Sequence, residues 1–338
     1  MQVGIGGVVL TADDVTFVVE AERLGADSVW VPEAWGQDAL TPLAFLAART
    51  ERIRLGSGIV QIGGRTPANL AMAALSLQTL SGGRFLLGLG TSGPQVMEGW
   101  HGVRFDSPVQ ATRETIEIVR MAIRGERLEY HGRVFQLPLP DSAGRAIRSM
   151  VPPVDVPIYV AALGPRNLRL TGELADGWIG NAFMPETADA FVDELLAGAR
   201  GTGRQSELDL LIPVAVEFTD DVDAAAARHA RGYAFTIGAM GSPDKNFYNA
   251  AFTRQGFGDD VRAVQDLWLA GKLDEAAERV PVELGFRTNL LGPPAVVAER
   301  LRLYRDAGVT TLQAKLSGSL DEQLATLGQL LDLTTTVL

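Results

Sequence analysis

Cysteine is absent from the 338-residue chain. That excludes a disulfide framework and a thiolate zinc site. Histidine is scarce, with three residues, and neither an HExxH run nor clustered carboxylate ligands suggest another metal centre. Positive charge is short as well. Lys and Arg number 30 against 41 Asp and Glu, a formal net charge of -11. Such a surface repels polyanions, which argues against nucleic acid or an anionic membrane as partner. It does not exclude an anionic cofactor, because a pocket needs only local donors. No apolar run approaches membrane-spanning length. The start, Val3 to Leu10, reads as a strand with no basic segment before it. Gly6-Gly7 and Asp13-Asp14 leave too short an apolar run for a secretory leader. These absences predict a soluble, cytoplasmic protein.

What the chain does have is core material and alternation. Hydrophobic residues make up 46%, ample for a core, and the length suits one large α/β barrel or two medium domains. The clearest unit is residues 53–102. Two apolar runs, Ile53 to Ser57 and Phe85 to Leu89, each end in small residues. Between them Leu70, Ala73, Ala74, Leu77 and Leu80 recur at helical spacing, with Pro67 near the helix start and Gly82-Gly83 at its end. A strand–helix–strand unit of this kind is parallel and buried. Ligands of such folds bind beyond the carboxyl ends of the strands, where small residues admit close approach.

The same alternation continues along the chain. Strands are expected at 3–10, 27–31, 53–57, 85–89, 158–161, 177–179, 208–218 and 310–316. Helices are expected at about 13–25, 41–51, 67–80, 186–200 and 221–240, after Gly164-Pro165, along the Ile116, Val119 and Ile123 stripe, and near both Val296 and Leu320. His131 to Leu137 reads as a small hairpin. Residues 241–290 exceed a minimal repeat and hold two helical patterns, 245–255 and 259–280. Eight strands alternating with helices predict an α/β fold, a (β/α)8 TIM barrel, with its largest insertion between strands seven and eight. An open doubly wound sheet is the runner-up, since periodicity does not prove closure.

Several stretches carry a resemblance. LGSGIVQIGGRTPANLA (55–71), LSGGRFLLGLGTSGP (80–94), EGWHG (98–102), DSVWVPEAW (27–35), VPIYVAALGPRN (156–167), LADGWIGN (174–181) and GPPAVVAERLRLYRDAGVTTL (292–312) span nearly the whole chain. They resemble the luciferase-like monooxygenase superfamily. Within it they look most like the branch using the deazaflavin coenzyme F420, which includes methylenetetrahydromethanopterin reductase. The resemblance implies a non-prolyl cis peptide at Gly58-Ile59, pressing on the central ring of the cofactor. It implies that Thr91, Ser92 and Gly93 bond the ring's polar edge or ribityl chain. It also implies that Ala162, Leu163, Gly164 and Arg166 hold the phosphate, with Asp176-Gly177-Trp178 and Asn181 completing that wall. A helix N-terminus after Gly164 suits a phosphate on physical grounds too.

Glu33 matches an acidic position near the ring, where a carboxylate could serve as acid or base. Its other reading is a structural partner for an arginine. Two departures separate this chain from the glucose-6-phosphate-oxidising relatives: Ala34 stands where they carry histidine and Gly93 where they carry glutamate. Arg65 could steer an anionic tail or form a surface salt bridge. His101 could donate a proton or orient substrate. Trp35, Trp100, Phe183 and Phe247 are candidate pocket walls or core. The insertion 241–290 would form a lid on the same rim or pack between the subunits of a homodimer.

The function expected from these residues is F420-dependent hydride transfer between the reduced coenzyme and an unsaturated, imine-like or methylene-bridged small molecule. Two alternatives stand beside it. One is an FMN-dependent monooxygenase using oxygen and a separate reductase, the other a non-catalytic flavin-binding barrel.

Overall fold

A computed structural model of the chain describes residues 1–7, 11–204, 207–241 and 246–337. Eight parallel strands close into a barrel: β1 (Gln2–Gly6), β2 (Ser28–Val31), β3 (Arg54–Ser57), β4 (Phe85–Gly90), β5 (Ile158–Ala161), β6 (Gly177–Ile179), β7 (Asp209–Glu217) and β8 (Thr311–Lys315). Each pairs with the next, and β8 pairs back onto β1 through Gln2 opposite Thr311 and Val3 opposite Leu312. That closure removes the open doubly wound sheet. The expected first strand is shorter, ending at Gly6, and its residues 8–10 lie outside the described residues.

The helices are α1 (Ala12–Leu24), α2 (Leu40–Ala47), α3 (Pro67–Leu80), α4 (Pro94–Gly99), α5 (Pro108–Ile123), α6 (Pro165–Leu174), α7 (Asp189–Ala199), α8 (Val222–Arg231), α9 (Tyr233–Ala239), α10 (Phe247–Phe252), α11 (Gly258–Leu269), α12 (Leu273–Arg279), α13 (Val282–Arg287), α14 (Pro294–Asp306) and α15 (Leu320–Val337). The helix expected over 221–240 is two, α8 and α9, broken at Gly232. The pattern over 259–280 breaks likewise at Gly271, whose φ of 77° no helix accommodates. No helix among the described residues is long and apolar enough to cross a membrane. The expected hairpin is present, Tyr130–His131 against Gln136–Leu137. Glu114 of α5 accepts from the N–H groups of Arg133, Val134 and Phe135 and so holds the turn.

Side chains alternate across each strand. Outward residues such as Val29, Leu55, Leu87, Val160 and Leu312 join the main core against the helices. Inward, Trp30, Leu86, Tyr159, Ile179 and Leu211 fill the barrel. Trp30 and Tyr159 meet edge to face with ring centres 5.1 Å apart. Neighbouring strands make room for them. A Cβ on Gly56 would run into the Trp30 ring, and one on Gly177 into the Tyr159 ring. Below this layer the Tyr159 hydroxyl donates to Asp209 at 2.7 Å, and Thr311 donates to the same carboxylate at 2.9 Å. Burial, then the adjacent Asp209 charge, push the Tyr159 phenol well above its ordinary pKa, so it stays a donor. With the lower end sealed by polar contacts, the open end lies at the carboxyl ends of the strands.

The connection between β7 and β8 carries a second core. Ala230, Ala234, Ile237, Phe252, Phe257, Val261, Val264, Ala276, Val280 and Leu284 pack with Ala182 and Met184 of the barrel rim. This core takes in α8 and α9, so the added layer starts before residue 241. Lys245, in the expected 245–255 helix, lies outside the described residues. Buried Gln255 donates to the Ala182 carbonyl at 2.7 Å and accepts from Met184 N–H and the Thr187 hydroxyl. Arg254 donates to the Leu163 carbonyl at 2.5 Å. These bonds seat the layer on the rim above β5 and β6.

One buried carboxylate ties α1 to the start of β3. Glu22 accepts from the N–H groups of Glu51, Arg52 and Ile53 at 3.0, 2.8 and 2.7 Å. Burial would raise its pKa, but the three backbone donors and the Arg52 charge outweigh that, and the net shift is downward. A lowered folded pKa contributes stability above the unfolded value, about 4.3, that is lost as pH falls through the folded one. Glu22→Gln should therefore cost about 2 kcal/mol at neutral pH and flatten the acid limb of the stability curve. Denaturant midpoints of both proteins at neutral pH and near the glutamate pKa check this. An equal acid loss in the variant would place the sensitivity elsewhere.

Candidate active site

A cavity of about 960 Å³ opens at the carboxyl ends of β2 to β6. Its floor is made of small and apolar residues: Gly58, Ile59, Gly90, Ala161 and Ile179. The Gly58-Ile59 peptide is cis, as the resemblance implied, and the Gly58 N–H donates to the Val31 carbonyl at 2.8 Å. Ile59 lies over Gly90, where a Cβ would stand 2.7 Å from the Ile59 side chain. A side chain there would push Ile59 aside, and its absence leaves the floor low.

Ten of the residues expected around the cofactor line this cavity: Gly58, Ile59, Thr91, Ser92, Gly93, Ala162, Leu163, Gly164, Arg166 and Asn181. Ser92 turns the loop after β4 with a φ of 56°. Gly164 is the N-cap of α6 and no side chain caps that terminus. A Cβ on Gly164 would meet nothing within 4 Å, so the space in front of the helix start is open. Asn167, one turn in, lines the cavity, and its buried amide oxygen has no partner among the described residues. An uncapped helix start beside an unsatisfied amide suits an anion with further polar groups.

Glu33 also lines the cavity, and its oxygens are occupied. Arg65 donates to both, at 2.8 and 3.0 Å, while the N–H groups of Ala39 and Gln61 add bonds at 3.1 and 3.3 Å. Its side chain is 8% exposed and that of Arg65 22%. The hydrogen bonds to Glu33, against the opposing cost of burial, raise the Arg65 pKa further. Of the two readings kept for Glu33, the arginine partner is the one in place. Arg65 faces the β2 loop and stands outside the cavity lining.

His101 is set back from the cavity. Its Nε2 lies 2.6 Å from Gln61 Oε1, and Gln61 Nε2 donates to the Ala34 carbonyl at 2.9 Å. With Oε1 the acceptor, His101 donates through Nε2. Gln61 is buried and thus ties the loops after β2, β3 and β4 together.

Other expected residues separate. Asp176 precedes β6 and lies at the opposite end of the barrel, bound by Arg120 and by the Ile158 N–H. Trp178 points outward and Phe183 packs with it in the main core. Trp35, Trp100 and Phe247 do line the cavity. Gln61, Gln95, Phe235, Met240 and Tyr248 line it as well and were not expected. The signal for Gln61 was a lone amide among small apolar residues. Phe235, Met240 and Tyr248 carry no local signal, since only folding brings the β7–β8 layer over the β4 loop. There Gln95 donates to the Gly241 carbonyl.

The model of the family described as luciferase-like monooxygenase matches residues 11–311. A protein of Mycobacterium tuberculosis that carries the provisional name coenzyme F420-dependent oxidoreductase is 39% identical over 322 residues, covering 92% of this chain and 93% of its own. The 5,10-methylenetetrahydromethanopterin reductase of Methanolobus tindarius is 34% identical over 226 residues, 66% of each chain. Among solved structures, the coenzyme F420 dependent tetrahydromethanopterin reductase of Methanopyrus kandleri has a TM-score of 0.78 at 24% identity, over 97% of this chain and 98% of that one. Identity that low speaks for the barrel alone.

The Glu33 geometry yields a direct expectation. Glu33→Gln removes the charge that two guanidinium bonds and two backbone donors require, and leaves half-buried Arg65 with Asp38, 3.9 Å away, as its remaining counterion. Stability should fall by about 2 kcal/mol, below the roughly 3–5 of a fully buried pair because Arg65 is partly solvated. Chemical denaturation at neutral pH measures it. Unchanged stability would mean that the pair does not brace the loop.

Proposed function

The chain belongs to the luciferase-like monooxygenase family, and we propose that within it this protein is an oxidoreductase dependent on coenzyme F420. It exchanges a hydride between the reduced deazaflavin and a small molecule with a C=C, C=N or methylene-bridged acceptor. The names of the M. tuberculosis and M. tindarius relatives support the coenzyme. The observation that carries the reading is the cavity itself: a low floor of Gly58, Ile59 and Gly90 with the uncapped start of α6 opening beside it.

The residues present fit such a group. Gly58, Ile59 and Gly90 would hold the ring from below. Thr91, Ser92 and Asn181 would bond its polar edge. The α6 N-terminus, Arg166 and Asn167 would take the phosphate and its neighbouring hydroxyls. Once bound, a deazaflavin supplies a two-electron hydride carrier that reacts poorly with oxygen, because carbon replaces the flavin N5. The chain's own tasks are to position, to exclude water and to keep the loops in register. Glu33 serves the last task through Arg65, and His101 through Gln61; both are positioning residues in this reading.

Titration of the apoprotein with F420 and with FMN tests the proposal. F420 should bind more tightly. Submicromolar FMN binding without measurable F420 binding would overturn the reading in favour of an oxygen-using monooxygenase.

Gly164→Asp tests the phosphate position. The site has room for the side chain, and aspartate is a good N-cap, so helix stability should hold or rise. Its charge would face the phosphate and raise the coenzyme dissociation constant about tenfold or more, roughly 1.4 kcal/mol. Unchanged affinity in the folded variant would move the phosphate elsewhere.

A further inference from the structure

Large aromatic side chains are seldom left in solvent without a reason, and clusters of them mark binding surfaces. Among the described residues the exposed large aromatics are Trp35, Phe45, Trp100, Phe235 and Phe247. All but Phe45 line one cavity. They come from separate stretches: the loop after β2, the end of α4, and the helices α9 and α10 of the added layer. Trp100 is the most exposed, at 64%. Independent segments have thus brought rings to the same rim, where a monomeric surface would bury them or replace them.

Charge at this rim is sparse. Among the described residues, the charged ones lining the cavity are Glu33 and Arg166. Glu33 is neutralised by Arg65, and Arg166 stands at the α6 start, with the coenzyme phosphate in the reading above. Lys315, at the end of β8, is outside the lining. An ionised substrate would leave water for an apolar wall with no free counterion among the described residues, a cost that uncharged molecules avoid. The chain's net charge of -11 further disfavours an anion. One donor is available on that side. Tyr248 lines the cavity, burial raises its pKa, and its hydroxyl makes no hydrogen bond among the described residues.

We infer that the hydride acceptor is an uncharged molecule with an aromatic or polycyclic ring, seated among Trp35, Trp100, Phe235 and Phe247, and not a phosphorylated or carboxylated metabolite. The inference rests on the deazaflavin reading for the direction of hydride flow. In the reduction, one atom of the acceptor's double bond gains hydride and the other a proton from water, while the coenzyme is oxidised by two electrons.

Calorimetry on the protein, with and without F420, decides it. The probes are benzylideneacetone, its para-carboxylate, and ethylideneacetone, which keeps the enone but lacks the ring. Benzylideneacetone should bind about tenfold more tightly than either. Trp100→Ala and Phe247→Ala should each erase most of that preference and leave F420 affinity unchanged, and Trp100→Phe should restore it in part. Both residues are solvent-exposed, so the variants should fold. Equal or tighter binding of the carboxylate would overturn the proposal. So would variants that lose F420 and keep the probe, because the rings would then serve the coenzyme. Failure of the wild-type protein to bind F420 would sink the deazaflavin reading, and the probe series on the coenzyme-free protein would still decide the acceptor class.

Discussion

The edge-to-face contact of Trp30 and Tyr159 inside the barrel sets the geometry of everything above it. Two large rings fit there only because Gly56 and Gly177 on adjacent strands leave space. Trp30 donates to Ser28 at 3.0 Å and Tyr159 to Asp209, so each ring is fixed at its polar end as well as by packing. The small residues that end β3, β4 and β5 then lie on a filled barrel. A ligand resting on Ile59 and Gly90 meets a firm floor. Interiors packed to this density deform little, and that rigidity is what a hydride-transfer site requires of its base.

Above that floor the loops are held by polar bonds in place of packing. Gln61 connects His101 to Ala34, and Arg65 connects to Glu33. Each link joins the loop after β3 to a neighbour. Glu33 and His101, the residues that looked most catalytic, each take part in one of these links. Much of the remaining cavity surface is backbone, small side chains and aromatic rings, with Arg166, Asn167 and Asn181 on one side. This arrangement suits a reaction whose chemistry resides in the coenzyme.

For an acidic protein to take the proposed anionic coenzyme, attraction must be confined to one place. The α6 start offers such a place: an uncapped helix N-terminus with Arg166 beside it, acting at short range. The layer between β7 and β8 contributes the opposite character. Its Phe235 and Phe247 carry no charge to the rim, and Gln255 and Arg254 fasten it by bonds to backbone carbonyls. The two halves of the cavity thus differ in kind, one polar and helix-based, the other aromatic.

Much of this was legible in the sequence. Alternating strand and helix periods located all eight strands, and parallel strands oblige the loops after β3, β4 and β5 to share one end. Gly58, Thr91 and Gly164 could be assigned to a common site for that reason. Ring closure could not be read, because it depends on β8 meeting β1 across the whole chain. Asp176 went to the wrong end because its distance in sequence from Asn181 is small while a strand separates them in space. An arginine partner stood among the readings of Glu33 and a salt bridge among those of Arg65, but the sequence did not join the two, since nothing local fixes the reach between two loops. Nor did the sequence reveal that Phe235 and Tyr248 would line one cavity with Trp100. Local periodicity determined which elements form and which strand ends carry small residues. Only tertiary packing decided which side chains share the cavity, because that depends on distances between segments that no local pattern encodes.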